Sequence, residues 1–207
     1  MKLVRALGSV GGLTLASRVL ALVRDSLAAR YVGAGFASDA FNGVAFRLPN
    51  MFRRFFAEGA FNAAFVPMFS KRLEADENPE AFASLALSGL SLVLLTLTAL
   101  SMIFMPVLVY ATAEGFYGDA RFDVTVEYGR IVFPYIFFIS LAALLSGVLN
   151  ATGRFAAAAA APVVLNVLLV TAMTVAWIMG GPVAQALIWT IPFAGIAQLA
   201  LVWAAAD

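Results

Sequence analysis

Neither cysteine nor histidine occurs among the 207 residues of the sequence. Their absence excludes thiolate catalysis, disulfide staples, Cys/His zinc sites, Ser-His-Asp hydrolysis and haem ligation through histidine. No nucleophile–base pair or cluster of metal ligands takes their place, so the sequence reads as a non-enzyme, with no cofactor expected. Charge is scarce too. Only 12% of residues are charged, against 63% apolar, and mean hydropathy is +0.94. Soluble globular domains carry about 25% charged residues, which rules that class out. The net charge of +1 leaves no basic footprint for a nucleic acid.

The charge that is present is unevenly spread. Residues 81–113 and 155–206 contain none at all. A helix needs about 20 mostly apolar residues to cross a bilayer. On that measure the sequence divides into six spans at about 3–31, 38–70, 83–113, 125–150, 157–179 and 183–206, forming an all-α polytopic membrane protein. Pro49, Pro106 and Pro134 fall inside spans two, three and four and are expected to kink them. Lys71 to Glu80 reads as an aqueous loop. The runs are too long for barrel strands and lack their alternation. Lys2 and Arg5 before an apolar run imitate a signal peptide, but Arg18, Arg24 and Asp25 interrupt the apolar core, so the segment reads as a retained first helix.

Six spans place the N-terminus, the 71–80 loop, the 150–154 turn and the C-terminus on one side. Lys2, Arg5, Lys71, Arg72 and Arg154 lie there, while the 114–124 loop holds Glu114, Asp119 and Asp123 against Arg121. The positive side faces the cytoplasm, so the N-terminus is expected there. Asn150-Ala-Thr152 matches a glycosylation acceptor but falls in a tight turn on that side and is discounted.

Charges inside spans one and two need a reason, because ionisable groups at membrane depth cost several kcal/mol and normally face a bundle interior or an aqueous cavity. Thr14, Arg18 and Asp25 fall within about 40° of one another on a helix, with Arg24 about a third of a turn away. In span two, Asp39, Gly43, Phe46, Asn50 and Arg53 form one stripe and Arg47, Arg54, Glu58 and Asn62 another, with Arg54 and Glu58 in ion-pair register. Lys2, Arg5, Arg30, Arg47, Lys71 and Arg72 read as interfacial anchors whose heads reach the lipid headgroups. Arg18, Asp25, Asp39 and Arg53 read instead as lining an amphiphilic, net-cationic cavity. A structural ion pair is the alternative for these four, and an intrahelical pair for Arg54 and Glu58.

The same stretch carries a family resemblance. Ser17-Arg18-Val-Leu, Arg24-Asp25, Gly33-Ala-Gly35, Ser38-Asp39-Ala-Phe41, Arg47-Leu-Pro-Asn50, Arg53-Arg54, Phe56-Ala-Glu-Gly-Ala-Phe61 and Ala64-Phe-Val-Pro67 resemble the opening of the MurJ/MviN-type lipid II flippases. These belong to the multidrug/oligosaccharidyl-lipid/polysaccharide exporter superfamily. The resemblance continues through Phe133-Pro-Tyr135, Leu149-Asn150, Arg154-Phe155, Ala161-Pro162 and Asn166.

It implies alternating access between two six-helix lobes, of which residues 1–207 correspond to the N-terminal one, with the second lobe outside this sequence. The implied substrate is lipid II, whose undecaprenyl-pyrophosphate-linked muropeptide is moved across the bacterial cytoplasmic (inner) membrane. Implied partners are membrane lipids and the cell-wall synthesis machinery. By residue-to-residue match, Arg18, Arg24 and Arg53 correspond to arginines facing the central cavity, and Asp25 and Asp39 to acids tied to function and gating. Arg54 and Glu58 match motif positions without a defined role. Planar guanidinium groups suit a pyrophosphate because they offer paired hydrogen bonds. Alternatives are a superfamily exporter of another polyprenyl-linked glycan or of a small cation, and a truncated membrane scaffold that transports nothing. Pro49, Pro106, Pro134 and Pro162, with Gly8, Gly11 and Gly12, are expected to supply bends and close contacts.

Overall fold

The computed structural model describes the backbone of residues 2–33 and 60–207, and the side chains of 8–33 and 63–207. Every regular element among the described residues is helical: α1 (Lys2–Tyr31), α2 (Ala60–Ala75), α3 (Pro79–Ile103), α4 (Met105–Thr112), a 3-10 turn (Glu114–Phe116), α5 (Ala120–Val132), α6 (Tyr135–Ala151), α7 (Phe155–Ile178) and α8 (Val183–Ala206). Four stretches are long and apolar enough to cross a membrane: α3, α5 with α6, α7 and α8. The first expected span is one continuous helix that keeps its internal charges. Of the second, only the part from residue 60 onward is described.

Two expected spans are divided at their prolines. Pro106 has no N–H to offer the carbonyl of Met102, and the helix breaks at Phe104 (φ −91°, ψ 18°). The carbonyl is satisfied from another helix, because Nε of Arg130 donates to it at 3.1 Å. Pro134 divides the fourth span into α5 and α6, where Ile136 N–H turns to the Phe133 carbonyl at 3.0 Å in a tightened turn. Pro162 and Pro192, by contrast, lie within the continuous α7 and α8.

The loops are shorter than the sequence suggests. α2 runs to Ala75, so Lys71, Arg72 and Glu74 are helical rather than part of an aqueous loop. Only Asp76 to Asn78 intervene before Pro79 opens α3. Asp76 and Asn78 take left-handed backbone angles (φ 56° and 46°), which short polar side chains tolerate better than others. Glu77 N–H reaches back to the Arg72 carbonyl at 3.0 Å and closes the helix end. At the opposite end α5 starts at Ala120 instead of 125, because Asp119 caps it: the Asp119 carboxylate accepts from the backbone N–H of Arg121 at 3.0 Å.

The Arg121 guanidinium also donates to Asp119 at 2.6 and 2.8 Å, and these bonds, with the backbone one, hold the Asp119 carboxyl below its usual pKa of 3.8. A depressed folded-state pKa means that the cap stabilises above the unfolded value and is lost as pH falls through the folded one. Asp119→Ala is therefore expected to speed amide exchange at Arg121 and Phe122 several-fold at neutral pH. Wild type and variant should converge as pH falls through the lowered folded-state pKa of Asp119. A difference that persists in acid would refute the carboxylate as its source.

α6 is the centre of the described fold. α2, α3, α7 and α8 all pack on it, α7 packs on α8, and α1 lies against α7 as its one substantial neighbour among the described residues. One apolar cluster joins Phe65 and Phe69 of α2, Leu90 and Leu94 of α3, and Ile136 and Leu144 of α6. A second joins Tyr135, Leu169, Met173, Ile188 and Ile191, with Leu27 and Tyr31 of α1 against it. In lipid no hydrophobic force presses helices together, so close approach and interhelical hydrogen bonds must do so. Gly195 is such a close approach: a Cβ there would lie 2.8 Å from Cδ2 of Tyr135. Nearby, buried Gln198 accepts from the Tyr135 hydroxyl at 3.3 Å and donates to the Ala161 carbonyl at 2.9 Å, tying α8 to α6 and α7. Around Gly8, Gly11 and Gly12 a Cβ would meet nothing within 4 Å among the described residues.

Candidate functional site

Ser17, Arg24 and Tyr31 recur every seven residues along α1 and so share one face of it. That face meets α7. Nη1 of Arg24 donates to Oδ1 of Asn166 at 2.8 Å, and Nδ2 of Asn166 donates to the Ser17 carbonyl at 3.1 Å. Further along, the Tyr31 ring stacks on Trp177 with centroids 5.0 Å apart. Residue numbers rise together along both helices, so α1 and α7 run parallel.

Arg24 can meet the level of the Ser17 carbonyl because helical side chains lean toward the N-terminus, while carbonyls point the other way. Asn166 sits at the midpoint of the uncharged α7 and is 4% exposed. It therefore holds the guanidinium near the middle of a span, where an unsolvated charge is most costly. Asp25 answers part of that cost: its Oδ1 accepts from Nε at 2.9 Å and Nη2 at 2.8 Å. Neighbouring helical residues do not normally face each other; the long Arg24 side chain bends across the third of a turn between them. Asp25 remains 64% exposed while the Arg24 side chain is 22% exposed.

Among the described residues, these bonds occupy three of the five guanidinium hydrogens of Arg24. Two are left, one each on Nη1 and Nη2 of the rigid planar fork. Such a fork can bind an oxyanion through hydrogen bonds that a point charge does not duplicate. Arg18 is exposed, and no described carboxylate pairs with it. Thr14, placed with it on the polar face, bonds its hydroxyl to the Val10 carbonyl of its own helix at 2.8 Å. Arg53, Asp39, Arg54 and Glu58 lie outside the described residues, as do Arg47 and Asn50. The structure thus brings Arg24 and Asp25 together and adds Asn166, a residue that charge patterning alone passes over. Its signal was available: a lone amide in an apolar span must find partners for both its oxygen and its nitrogen.

A cavity of about 640 Å³ opens elsewhere, between α2, α3, α6 and α8, with Leu73, Glu80, Leu145, Arg154 and Trp203 in its wall. No described residue of α1 lines it. Arg154 there donates to the Ala205 carbonyl at 2.8 Å, securing the end of α8.

The profile of the family described as lipid II flippase MurJ matches residues 28–205. The chain belongs to this family. Among its MurJ relatives, a probable lipid II flippase of Rhizobium meliloti (strain 1021) is 45% identical across 99% of the chain, and the match spans 39% of that relative. The lipid II flippase of Burkholderia cenocepacia is 42% identical across 96% of the chain, again over 39% of the relative. The chain thus spans about two fifths of the length of the curated relatives it matches. Its fold is similar to a solved structure titled lipid II flippase MurJ, inward closed conformation. The TM-score is 0.77 at 26% identity, covering 95% of this chain and 41% of that one. MurJ membership, with four apolar helices of spanning length, makes this a multi-pass inner-membrane protein.

Proposed function

We propose that residues 1–207 form the N-terminal six-helix lobe of a lipid II flippase, which carries the undecaprenyl-pyrophosphate-linked precursor across the cytoplasmic membrane. In this reading α1 is span one and α2 ends span two. α3 with α4 forms span three, α5 with α6 span four, and α7 and α8 are the last two. The observation that carries it is the Arg24 guanidinium, held at mid-span with two hydrogens left over. Transporter sites lie at that depth. A pyrophosphate presents several anionic oxygens, and a cation waiting at mid-span lowers the cost of moving that head through hydrocarbon while the polyprenyl tail stays in lipid. No bond is made or broken, so the activity is transport rather than catalysis. Alternating access needs two walls, and this lobe supplies the one that bears Arg18, Arg24 and Arg53. Asp25 then holds the Nε and Nη2 edge of Arg24, and the hydrogens left over meet the lipid.

The N-terminus lies in the cytoplasm, supported by Lys2, Arg5, Lys71, Arg72 and Arg154 gathering on one side. The delivered lipid meets the cell-wall synthesis machinery on the other. Arg53 tests the cavity. In the protein as its cell expresses it, Arg53→Ala is expected to abolish lipid II translocation and fail to complement a flippase-depleted strain. Insertion and abundance should be nearly unchanged, since removing an embedded charge eases insertion. Growth of the depleted strain on the variant would remove Arg53 from the cavity.

A further inference from the structure

We propose that Asn166 is a positioning residue for lipid II, setting the plane of the Arg24 guanidinium from the neighbouring helix. This rests on the reading that Arg24 meets the lipid's pyrophosphate, and it adds a residue with no charge and no exposure of its own. Three observations carry it. Asn166 is buried at 4% exposure, at the midpoint of an otherwise apolar helix. Its amide has one consistent orientation, because Oδ1 faces Arg24, which can only donate, and Nδ2 faces the Ser17 carbonyl, which can only accept. That carbonyl has a second lone pair for the amide beyond its own helical bond. The Ser17 hydroxyl lies 3.4 Å from the same nitrogen and gives a further contact.

The consequence is a guanidinium held from two directions. Asp25, on the same helix, takes the edge made by Nε and Nη2. Asp25 alone would leave the group free to swing with its own exposed side chain, because both partners would then ride on α1. Asn166 anchors Nη1 to α7, so the plane is set by two helices instead of one. The remaining hydrogens, one on Nη1 and one on Nη2, then keep fixed directions. Preorganisation raises affinity by reducing what must be ordered on binding. The uncharged amide holds Nη1 without placing a second anion beside the lipid's phosphates.

The test is a double-mutant cycle in the intact protein, reading affinity for lipid II in detergent, with undecaprenyl monophosphate as a second probe. Asn166→Ala is expected to weaken lipid II binding about tenfold, the scale of one charge-assisted hydrogen bond. In an Arg24→Ala background the same change should do almost nothing, since there is no guanidinium left to position. A purely structural tie of Asn166 to the Ser17 carbonyl, which does not involve Arg24, would cost the same in both backgrounds, and that result overturns the proposal. Asn166→Asp keeps the volume should the alanine variant fold poorly. It adds an anion beside Arg24, so it should bind lipid II less well than wild type and lose more for the pyrophosphate lipid than for the monophosphate. Wild-type affinity in Asn166→Asp also overturns it. If Arg24→Ala itself binds normally, the site reading fails; if Arg24→Ala loses binding and Asn166→Ala does not, only the role of Asn166 fails.

Discussion

Arg24→Lys is expected to lower lipid II translocation by about an order of magnitude or more, although it keeps the positive charge. The reason is the number of directions in which the side chain must bond. Arg24 gives Nε and Nη2 to Asp25 and Nη1 to Asn166. An ammonium carries three hydrogens on one nitrogen, and with Asp25 and Asn166 both served it has one left for the lipid. It also lacks the planar fork that meets two phosphate oxygens together. Arg24→Ala and Arg24→Gln should lose translocation outright. Arg18, exposed and without a described carboxylate partner, provides the contrast: Arg18→Lys should keep more of its activity if it contributes field rather than geometry. Complementation and lipid II binding across the Lys, Gln and Ala series at both positions settle the matter. Full activity of Arg24→Lys would leave the site as an electropositive basin with no geometric requirement.

The second large effect is expected at Gly195, on the uncharged α8. A Cβ there falls 2.8 Å from Cδ2 of Tyr135 and 3.1 Å from the Cβ of Phe138. Gly195→Ala must push the Tyr135 ring aside and loosen its bond to Gln198; Gly195→Leu cannot be accommodated without separating α8 from α6. Overpacking of this kind costs about 1–3 kcal/mol and more for larger intrusions. Helices in lipid have only contact and hydrogen bonds to compensate. The expected result is a lower thermal midpoint in detergent for Gly195→Ala and little folded protein for Gly195→Leu. Gly11→Ala is the control, since a Cβ at Gly11 meets nothing within 4 Å among the described residues. Equal behaviour of Gly195→Ala and Gly11→Ala would contradict the close packing of α6 and α8.

The ends of the helices illustrate why local signals carry only so far. The sequence places the breaks near Pro106 and Pro134, because a missing N–H is a property of the residue itself. It does not reveal that Arg130 answers the carbonyl freed by Pro106, since the two lie on different helices. Lys71, Arg72 and Glu74 read as loop for their charge, yet they are helical. Their heads reach water from a helix end, and Arg72 lies over the Phe82 ring at 4.8 Å.

What the sequence by itself determined is the solvent and the burden: two long uncharged stretches that belong in lipid, and arginines and acids placed within the first two spans at a cost that only a cavity or a partner repays. Those are properties of composition and of the 3.6-residue repeat, and they hold wherever the helices end up. Only the tertiary structure decided which side chains share that burden. Arg24 and Asn166 are 142 positions apart, and no local pattern links an arginine on α1 to an amide in the middle of α7. The parallel packing of the two helices makes the link: the arginine leans back, the Ser17 carbonyl points forward, and a single buried amide bonds to both.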